Sequence, residues 1–253
     1  MISLAKRFSH IMLTMFKAYY SQQLMRPGLV GLFVNPFYFA RRGLFLAVAE
    51  FAPGIGGHLL DVGCGSRPYE TLFHTTKYVG LEIDTSNNRK TKKADVFYDG
   101  GVFPFDADSF DSVVCNQVLE HAFQPDRLIS EISRILKPGG RLLITVPFVW
   151  DEHEQPWDYG RYSSFGLAAL LKAHGFDLIA QRKTMGDVRT LFQLLNAYLF
   201  KVTCTRNPYL NLLTTIALMA PANLAGTLLY RILPRNPDLY LDNVVLAKKV
   251  NKL

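Results

Sequence analysis

The chain has 253 residues, of which 49% are hydrophobic and 19% are charged, and its formal net charge is +7. This length and apolar content predict one α/β domain with additions and exclude an extended disordered chain. The basic balance fits nucleic acid, an anionic membrane or an acidic substrate without selecting among them. Three isolated cysteines, Cys64, Cys115 and Cys204, exclude a disulfide framework and favour a reducing compartment.

Residues 1–26 mix cations with apolar residues and predict an amphipathic helix. Its longest apolar stretch, residues 11–16, is too short to span a membrane, and no cleavage site comes after it, so a secretory signal is not expected. The helix could pack on the domain or lie on an anionic membrane surface. Asn35 and Pro36 predict the cap and the first position of a second helix. We expect a cytoplasmic protein, with the inner face of the membrane as the alternative location.

Seven segments have the composition of strands, and helical segments separate several of them. The predicted strands are residues 58–62, 78–84, 94–99, 110–115, 141–146, 176–182 and 239–249. Apolar residues at helical spacing predict a helix over residues 126–136, and Ser163 or Ser164 predicts the cap of another that runs to Ala173. Strands that alternate with helices indicate an α/β fold with a parallel sheet.

The first predicted strand runs into a turn of small residues, Asp61-Val62-Gly63-Cys64-Gly65. Glycine tolerates positive φ and has no side chain to exclude a bound group. In a parallel sheet, nucleotide-like ligands bind at the carboxyl end of the first strand. A glycine pair is a weak signal by itself, so the prediction of a ligand site also needs suitable polar residues on the neighbouring strands.

Acidic residues end the next two predicted strands. Glu82 lies 21 positions after Asp61, which suits a carboxylate that accepts hydrogen bonds from both hydroxyls of a ribose. A solvated strand end is the alternative for Glu82. Asp99 ends the third strand, where it could accept the exocyclic amine of an adenine, and Asp95 is the fallback for that role. Together with the glycine turn, these acids predict a nucleoside-binding edge.

Six motifs stand in one order along the chain. They are Leu60-Asp61-Val62-Gly63-Cys64-Gly65, Gly80-Leu81-Glu82, Asp99 with Phe103-Pro104-Phe105, Phe110-Asp111, Val118-Leu119-Glu120-His121 and Leu136-Lys137-Pro138-Gly139-Gly140. In this order they resemble a class I S-adenosylmethionine-dependent methyltransferase with a type 11-like domain. The resemblance implies a Rossmann-like, seven-stranded, mostly parallel sheet with helices on both faces. N-terminal helices and an apolar helical insertion before the last strand would be added to it.

The resemblance also implies S-adenosylmethionine as the cofactor and a role for each matching position. Asp61 would orient the amino end of the cofactor, Gly63, Cys64 and Gly65 would form the turn around its methionine part, Glu82 would hold the ribose, Asp99 the adenine, and Asn116 would lie near the methionine amine. Cys64 is expected as a small loop residue and not as a nucleophile. Ser66-Arg67-Pro68 replaces the third glycine that often occurs after Gly65, which loosens the match of the loop.

Other enzyme classes fit less well. A nicotinamide dehydrogenase needs Gly-x-Gly-x-x-Gly, and position 68 is proline. Asn116-Gln117-Val118 comes after the fourth strand in place of the Asn-Pro-Pro-aromatic motif of enzymes that methylate amide or adenine amines. Basic residues form no stripe interleaved with aromatic residues, so nucleic acid is not expected as a partner. No motif predicts a metal site.

The polar loop after the fifth strand is the candidate for acceptor chemistry. A hydroxyl acceptor must lose a proton, and His153 could take it because imidazole titrates near neutral pH. His153 could instead stabilise the loop. The candidate acceptor-binding residues are His121, Asp158, Tyr159 and Arg161. His121 could equally cap the segment after the fourth strand, and Asp158 with Arg161 could simply brace the loop.

Residues 186–238 form a long apolar excursion. Between Arg206 and Arg231 no residue is charged, and that length reaches the range of a membrane span. A final strand comes after it, however, and Pro221 predicts two short helices. Packing over the active-site face, partial insertion into a membrane leaflet and a true span remain open. The segments that would make a peripheral membrane contact are residues 1–26 and 207–230.

These features predict four segments and one function. The segments are an N-terminal helical extension (1–52), a cofactor-binding core (53–185), an apolar helical insertion (186–238) and a final strand of the core (239–253). The expected function is methyl transfer from S-adenosylmethionine to a small or lipid-linked acceptor, with oxygen as the acceptor atom. The alternatives are a non-catalytic binding module and a methyltransferase of protein or RNA.

Overall fold

The structure is a computed structural model that describes residues 4–250, with backbone only for residues 4–11, 13 and 16. Two compact units are present. The described residues within Met1–Phe45 together with Asp187–Asn236 form one, which we call the helical unit. Those within Leu46–Gly186 together with Pro237–Leu253 form the other, which we call the sheet unit.

The described residues form nine α-helices and seven strands. The helices are α1 (Leu4–Met25), α2 (Gly31–Val34), α3 (Tyr38–Phe51), α4 (Ser86–Thr91), α5 (Pro125–Ile135), α6 (Ser164–Ala173), α7 (Arg189–Thr203), α8 (Pro208–Thr214) and α9 (Ala220–Leu229). The strands are β1 (Gly56–Val62), β2 (His74–Ile83), β3 (Val96–Tyr98), β4 (Phe110–Asn116), β5 (Leu136–Pro147), β6 (Phe176–Lys183) and β7 (Asp242–Lys249).

The strands of the sheet unit form one sheet in the order β3-β2-β1-β4-β5-β7-β6. The first five strands in this order pair in parallel, and β7 lies antiparallel between β5 and β6. The central strands are buried on both faces, which explains their continuous apolar sequence. The predicted Rossmann-like, mostly parallel sheet with a helical segment before the last strand is confirmed.

Helix signals in the sequence hold well in the sheet unit. Leu128, Ile129 and Ile132 of α5 are buried, as their helical spacing predicts. Ser163 caps α6, since its hydroxyl accepts a hydrogen bond from the Gly166 N–H at 3.1 Å. The buried side chains of α5 and α6 join those of the sheet in a single core cluster.

Several element boundaries differ from the prediction, and two of the differences have a visible structural reason. The fifth strand begins at Leu136 and not at residue 141, because the sheet absorbs the intervening Lys-Pro-Gly-Gly segment as a register shift opposite β4. The helix that the sequence predicts from Pro36 is α3, and it begins at Tyr38. The buried Asn35 side chain accepts from Phe37 N–H at 2.8 Å and donates to two carbonyls of α1.

The first turn of α3 is capped from a distant part of the sequence. Within the helical unit, the Gln193 side-chain oxygen accepts from the N–H groups of Phe39 and Ala40 at 3.0 and 3.1 Å. Gln193 also donates to the Pro36 carbonyl. A buried amide on α7 thus satisfies backbone donors that a helix start leaves unpaired.

The two short helices that Pro221 predicts are α8 and α9, and Pro221 lies in the first turn of α9. Residues Pro208–Leu229 form a continuous helical stretch of 22 residues, in which the π-helical turn Thr215–Met219 connects α8 to α9. A π turn widens the helix just before the proline and accommodates both its ring and its missing N–H. This stretch is long and apolar enough to cross a membrane by length and composition, and about one third of its most apolar window is buried.

Asp61 and Tyr78 form a buried polar pair between β1 and β2. The Tyr78 hydroxyl donates a hydrogen bond to the Asp61 carboxyl, which is almost completely buried. Burial raises the pKa of Asp61 to about 7, although the bond from Tyr78 opposes the shift. Burial also raises the pKa of Tyr78, so its hydroxyl keeps the proton that it donates.

We predict that this pair makes the chain less stable as the pH rises. The folded chain keeps a proton on Asp61 that the unfolded chain loses above its ordinary pKa, so this contribution to stability is present in acid and is lost as the pH rises through about 7. Urea unfolding gives the free energy of unfolding at about pH 5 and about pH 8. Between these two pH values it should decline by about 2 kcal/mol less in Asp61→Asn than in the wild type. The exposed Asp177→Asn is the control, and an equal decline in Asp61→Asn and wild type would contradict the prediction.

Candidate active site at the carboxyl ends of the strands

The glycine turn after β1 has the conformation that its sequence predicts. Gly63 and Gly65 have φ angles of +66° and +54°. A Cβ on Gly63 would lie 2.4 Å from Val118, so packing and conformation both require glycine there. A Cβ on Gly65 would meet no atom within 4 Å, so the turn leaves open space at this position. Burial raises the pKa of the Cys64 thiol to about 12, which makes it a loop residue and a poor nucleophile.

Glu82 lies at the end of β2 and faces the turn. Its Oε2 accepts a hydrogen bond from the Gly65 N–H at 2.9 Å. Across the described part of the chain, Oε1 accepts no hydrogen bond from another residue. The carboxylate therefore stands beside the open turn with one oxygen available to a ligand, where the sequence predicts the ribose. The role itself stays a prediction.

Arg67 occupies the region where a third glycine was expected. It adopts a φ of 57°, and its guanidinium lies 5.1 Å from the centre of the Tyr78 ring. The same guanidinium pairs with Asp95, which also accepts the Gly80 N–H at 2.8 Å. Arg67 thus closes the loop by side-chain contacts, and Asp95 is committed to this contact, which leaves Asp99 for the predicted adenine role.

A cavity of about 250 Å³ lies beside these strand ends. Its lining includes Ile83 after Glu82, Tyr98 and Gly101 around the end of β3, and Val118, His121 and Arg127 beyond β4. Asp99 is exposed next to it, and its Oδ1 accepts the Gly101 N–H at 2.8 Å. Motif reasoning missed Arg127 and the rest of the α5 wall, because no local pattern marks which helical residues face a cavity.

Asn116 ends β4 and contacts the end of β5. Its Oδ1 accepts a hydrogen bond from the hydroxyl of the fully buried Thr145 at 2.7 Å. The next residue, Gln117, has a φ of 55° and donates its N–H to the Thr145 carbonyl at 3.0 Å. The side-chain oxygen of Asn116 thus contacts β5, and the predicted place of Asn116 near the methionine amine stays a prediction.

Asp158 and Arg161 brace the loop after β5. Two guanidinium nitrogens of Arg161 lie 2.6 and 2.8 Å from the Asp158 oxygens, and Asp158 also accepts the His153 N–H. The bonds from Arg161 hold the pKa of Asp158 well below its usual range. The side chain of Asp158 is 4% exposed, so this pair serves the loop first. Tyr159 is half-exposed, and its ring lies 5.2 Å from that of Phe123 at the cavity.

The bracing brings two predicted residues together. The rings of His121 and His153 stand nearly perpendicular, with centroids 4.8 Å apart. Glu120, fully buried, adds a carboxylate, and one of its oxygens and one ring nitrogen of each histidine lie within 4.8 Å of one another. Burial raises the pKa of Glu120 to about 8. In the sequence, Glu120 stands inside a motif but has no role of its own predicted for it.

Comparison with known proteins identifies the family. A family model described as a methyltransferase domain matches residues 37–181, more than half of the chain. A ubiquinone biosynthesis O-methyltransferase of Coxiella burnetii is 30% identical over 101 residues, which cover 36% of this chain and 43% of that protein. The chain thus matches less than half the length of this relative.

Solved structures agree on the fold. The cyclase SpnF superposes with a TM-score of 0.54 at 21% identity, over 83% of this chain and 81% of its own. The Haemonchus contortus phosphoethanolamine N-methyltransferase 2 in complex with S-adenosyl-L-methionine gives 0.53 at 22% identity, over 92% of this chain and 60% of its own. At these identities the likeness concerns the fold alone. With the family match, the predicted resemblance is confirmed: the chain belongs to the methyltransferase-domain family and has the fold of class I S-adenosylmethionine-dependent methyltransferases.

Proposed function

We propose that this methyltransferase transfers the methyl group to an oxygen of a small, hydroxyl-bearing acceptor. The observation that carries the proposal is the pair of imidazoles, His121 and His153, at the carboxyl-terminal edge of the sheet, with His121 in the wall of the cavity. The name of the Coxiella burnetii relative, an O-methyltransferase, points the same way.

The residues at the strand ends fit the cofactor. The open turn at Gly65 leaves room for its methionine part, and the free oxygen of Glu82 suits a ribose hydroxyl. The cavity beyond β2 and β3 has the apolar wall that an adenine needs, with Ile83 and Tyr98 among its members. When bound, S-adenosylmethionine supplies a methyl group on a sulfonium, which is already activated for displacement. The chain has mainly to align the acceptor with it.

Proton removal is the second task of the chain. A hydroxyl becomes a better nucleophile as it loses its proton, and a nearby imidazole can take that proton at neutral pH. His153 Nδ1 lies 3.3 Å from Asp158 Oδ2 and from the Asp151 carbonyl, which orients the ring. Asp158 is itself held by Arg161. We assign His153 the proton-accepting role and assign Asp158 and Arg161 a positioning role.

A lipid-linked acceptor is the second candidate, and the surface of the helical unit favours it. Tyr209, Leu213 and Leu228 in the helical stretch Pro208–Leu229 are 81%, 62% and 63% exposed. Exposed Arg206 and Arg231 flank the stretch. An apolar helix face with cations at its ends suits the interface of an anionic membrane. We propose peripheral membrane contact here, from the cytoplasmic side.

The extract fraction that receives a labelled methyl group would decide the acceptor class. The purified chain would be incubated with methyl-labelled S-adenosylmethionine and with the small-molecule, lipid, protein and RNA fractions of a cell extract. We expect label in an organic-soluble small molecule or lipid that base treatment does not release, as for a methyl ether. Label in protein or RNA would contradict the proposal. Saturable cofactor binding without any labelled product would favour a non-catalytic binding module.

The first of three predictions about function concerns cofactor binding. Glu82→Ala should weaken S-adenosylmethionine binding by about 1–3 kcal/mol, the range of a hydrogen bond to a charged group. Calorimetry measures this, with the exposed Asp177→Ala as the control for loss of a carboxylate. Glu82→Gln keeps an acceptor for the Gly65 N–H, so its dissociation constant should lie between those of the wild type and Glu82→Ala. An unchanged dissociation constant in Glu82→Ala would remove Glu82 from the cofactor site.

The second prediction separates catalysis from binding. His153→Ala should lower turnover by about 100-fold or more, the scale of general-base catalysis, and leave the dissociation constant of S-adenosylmethionine nearly unchanged. The rate of label transfer and calorimetry measure the two quantities. The exposed His74→Ala should change neither. Cofactor affinity lost in parallel with turnover would show that His153 holds the site together and does no chemistry.

The third prediction concerns the membrane. Flotation with vesicles of phosphatidylglycerol and phosphatidylethanolamine should recover the wild-type chain, and Leu213→Asp with Leu228→Asp should lower the recovery several-fold. Phe165→Asp on α6 is the control, because Phe165 is an apolar residue of the sheet unit that is even more exposed, at 83%. Equal recovery of the double variant and the control would exclude this face as the membrane contact.

A further inference from the structure

Glu120 carries a buried carboxyl group that has no hydrogen-bonding partner on another described residue. It is fully buried in the short 3-10 turn Leu119–His121, and within residues 4–250 neither of its side-chain oxygens accepts a hydrogen bond from another residue. Its carbonyl accepts the N–H groups of Tyr159 and Gly160 at 2.8 and 3.2 Å, so its backbone is fixed. Burying an unpaired carboxylate is costly, which suggests that something other than this chain satisfies it.

The two imidazoles beside Glu120 are held in one tautomer. His121 Nδ1 lies 2.6 Å from the Trp157 carbonyl oxygen, which can only accept, so Nδ1 carries the proton and Nε2 keeps a lone pair. That Nε2 lies 3.9 Å from Glu120 Oε1. His153 Nδ1 likewise faces only acceptors, the Asp158 carboxylate and the Asp151 carbonyl. Metal-binding histidines are oriented in this way by a carbonyl or carboxylate behind the ring.

We propose that Glu120, His121 and His153 bind a divalent transition-metal ion of the zinc type. In a tetrahedral site with bonds of about 2.1 Å, two ligand atoms lie about 3.4 Å apart. The distance between His121 Nε2 and Glu120 Oε1 is 3.9 Å, which is close to this value. The whole group lies within 4.8 Å, so small side-chain rotations close the site. Two nitrogens and one carboxylate favour zinc, manganese or iron over magnesium or calcium, which prefer oxygen ligands.

The site has room for further ligands. Three protein ligands leave at least one coordination position open, as in catalytic zinc sites. The exposed Glu154 has an oxygen 4.0 Å from the same His121 Nε2 and can reach the ion as a fourth ligand. His121 also lines the cavity, so the ion would lie at the cavity wall.

A cation at this place changes the expected role of His153. The ion would lower the pKa of a hydroxyl that approaches it, as it does for water, and His153 would act as its ligand instead of as a free base. This consequence rests on the proposed function and favours acceptors with two adjacent oxygens, such as catechols. The binding of the ion does not rest on it.

Zinc titration of the full chain tests the proposal. The protein would carry Cys204→Ser, because the exposed free Cys204 could bind zinc by itself. After removal of metals with a chelator, calorimetry with zinc chloride, without cofactor or acceptor, should give one saturable site per chain. His121→Ala and His153→Ala should each weaken it at least tenfold, and magnesium chloride should give no comparable site.

The controls separate a metal site from a simple acid–histidine pair. His174 Nε2 lies 3.0 Å from Asp126 Oδ1 with the third ligand missing, so His174→Ala should bind zinc as the parent does. Glu120→Gln, with circular dichroism as a check of folding, should also lose affinity. The proposal is overturned if the parent has no saturable zinc site. It is also overturned if the His121→Ala and His153→Ala variants bind zinc as tightly as the parent does. Zinc binding without any methyl transfer would leave the metal site standing and contradict the proposed function alone.

Discussion

The common edge at which the parallel strands end is the constraint on which the site depends. Val62 of β1 stands in register with Leu81 of β2 and with Cys115 of β4, and Cys115 with Ile144 of β5. The residue after each strand therefore emerges at the same edge of the sheet. Chain segments far apart in sequence deliver a glycine turn, a carboxylate and a histidine turn to one place without any contact made for that purpose.

The loop after β5 uses this edge as its anchor. It has no regular secondary structure, so its backbone needs other partners. Tyr159 and Gly160 donate to the carbonyl of Glu120, and Tyr162 donates to that of Pro147. The Asp158–Arg161 pair then ties the interior of the loop to itself. Because the anchor is Glu120, the contacts that order the loop also set the distance between His153 and His121.

Sequence reasoning succeeded where a local pattern fixes the outcome. The succession of strands along the chain, the glycine turn, the cap at Ser163 and the buried face of α5 all result from period, composition or a single hydrogen bond to a near neighbour. The candidate cofactor-binding residues stand next to these local signals, and their roles stay predictions. Each of these positions could be read from a few consecutive residues.

The remaining features depend on partners that the local sequence does not reveal. Gln193 caps a helix 154 residues away, so Asn35 does not determine where α3 begins. The π-helical turn Thr215–Met219 joins α8 to α9, so two short helices form one continuous stretch that the local sequence does not predict. Glu120 is the clearest case, since its buried, unpartnered state comes from the loop that folds over it. A motif can show that a carboxylate is present, but only the fold shows that no other described residue donates a hydrogen bond to it.

The division of the chain also explains why the donor is better defined than the acceptor. The family match ends at residue 181, and the second half of the helical unit, Asp187–Asn236, lies beyond it. Methyl donation requires the strand ends, which the match includes. Acceptor choice requires the surfaces that differ among relatives, because each acceptor has its own shape and polarity. The two surfaces that we propose for the acceptor lie in different units, a polar, histidine-bearing edge in the sheet unit and an exposed apolar helix in the helical unit. Each supports its own acceptor class, because the histidine edge suits a small hydroxyl compound and the apolar helix suits a lipid.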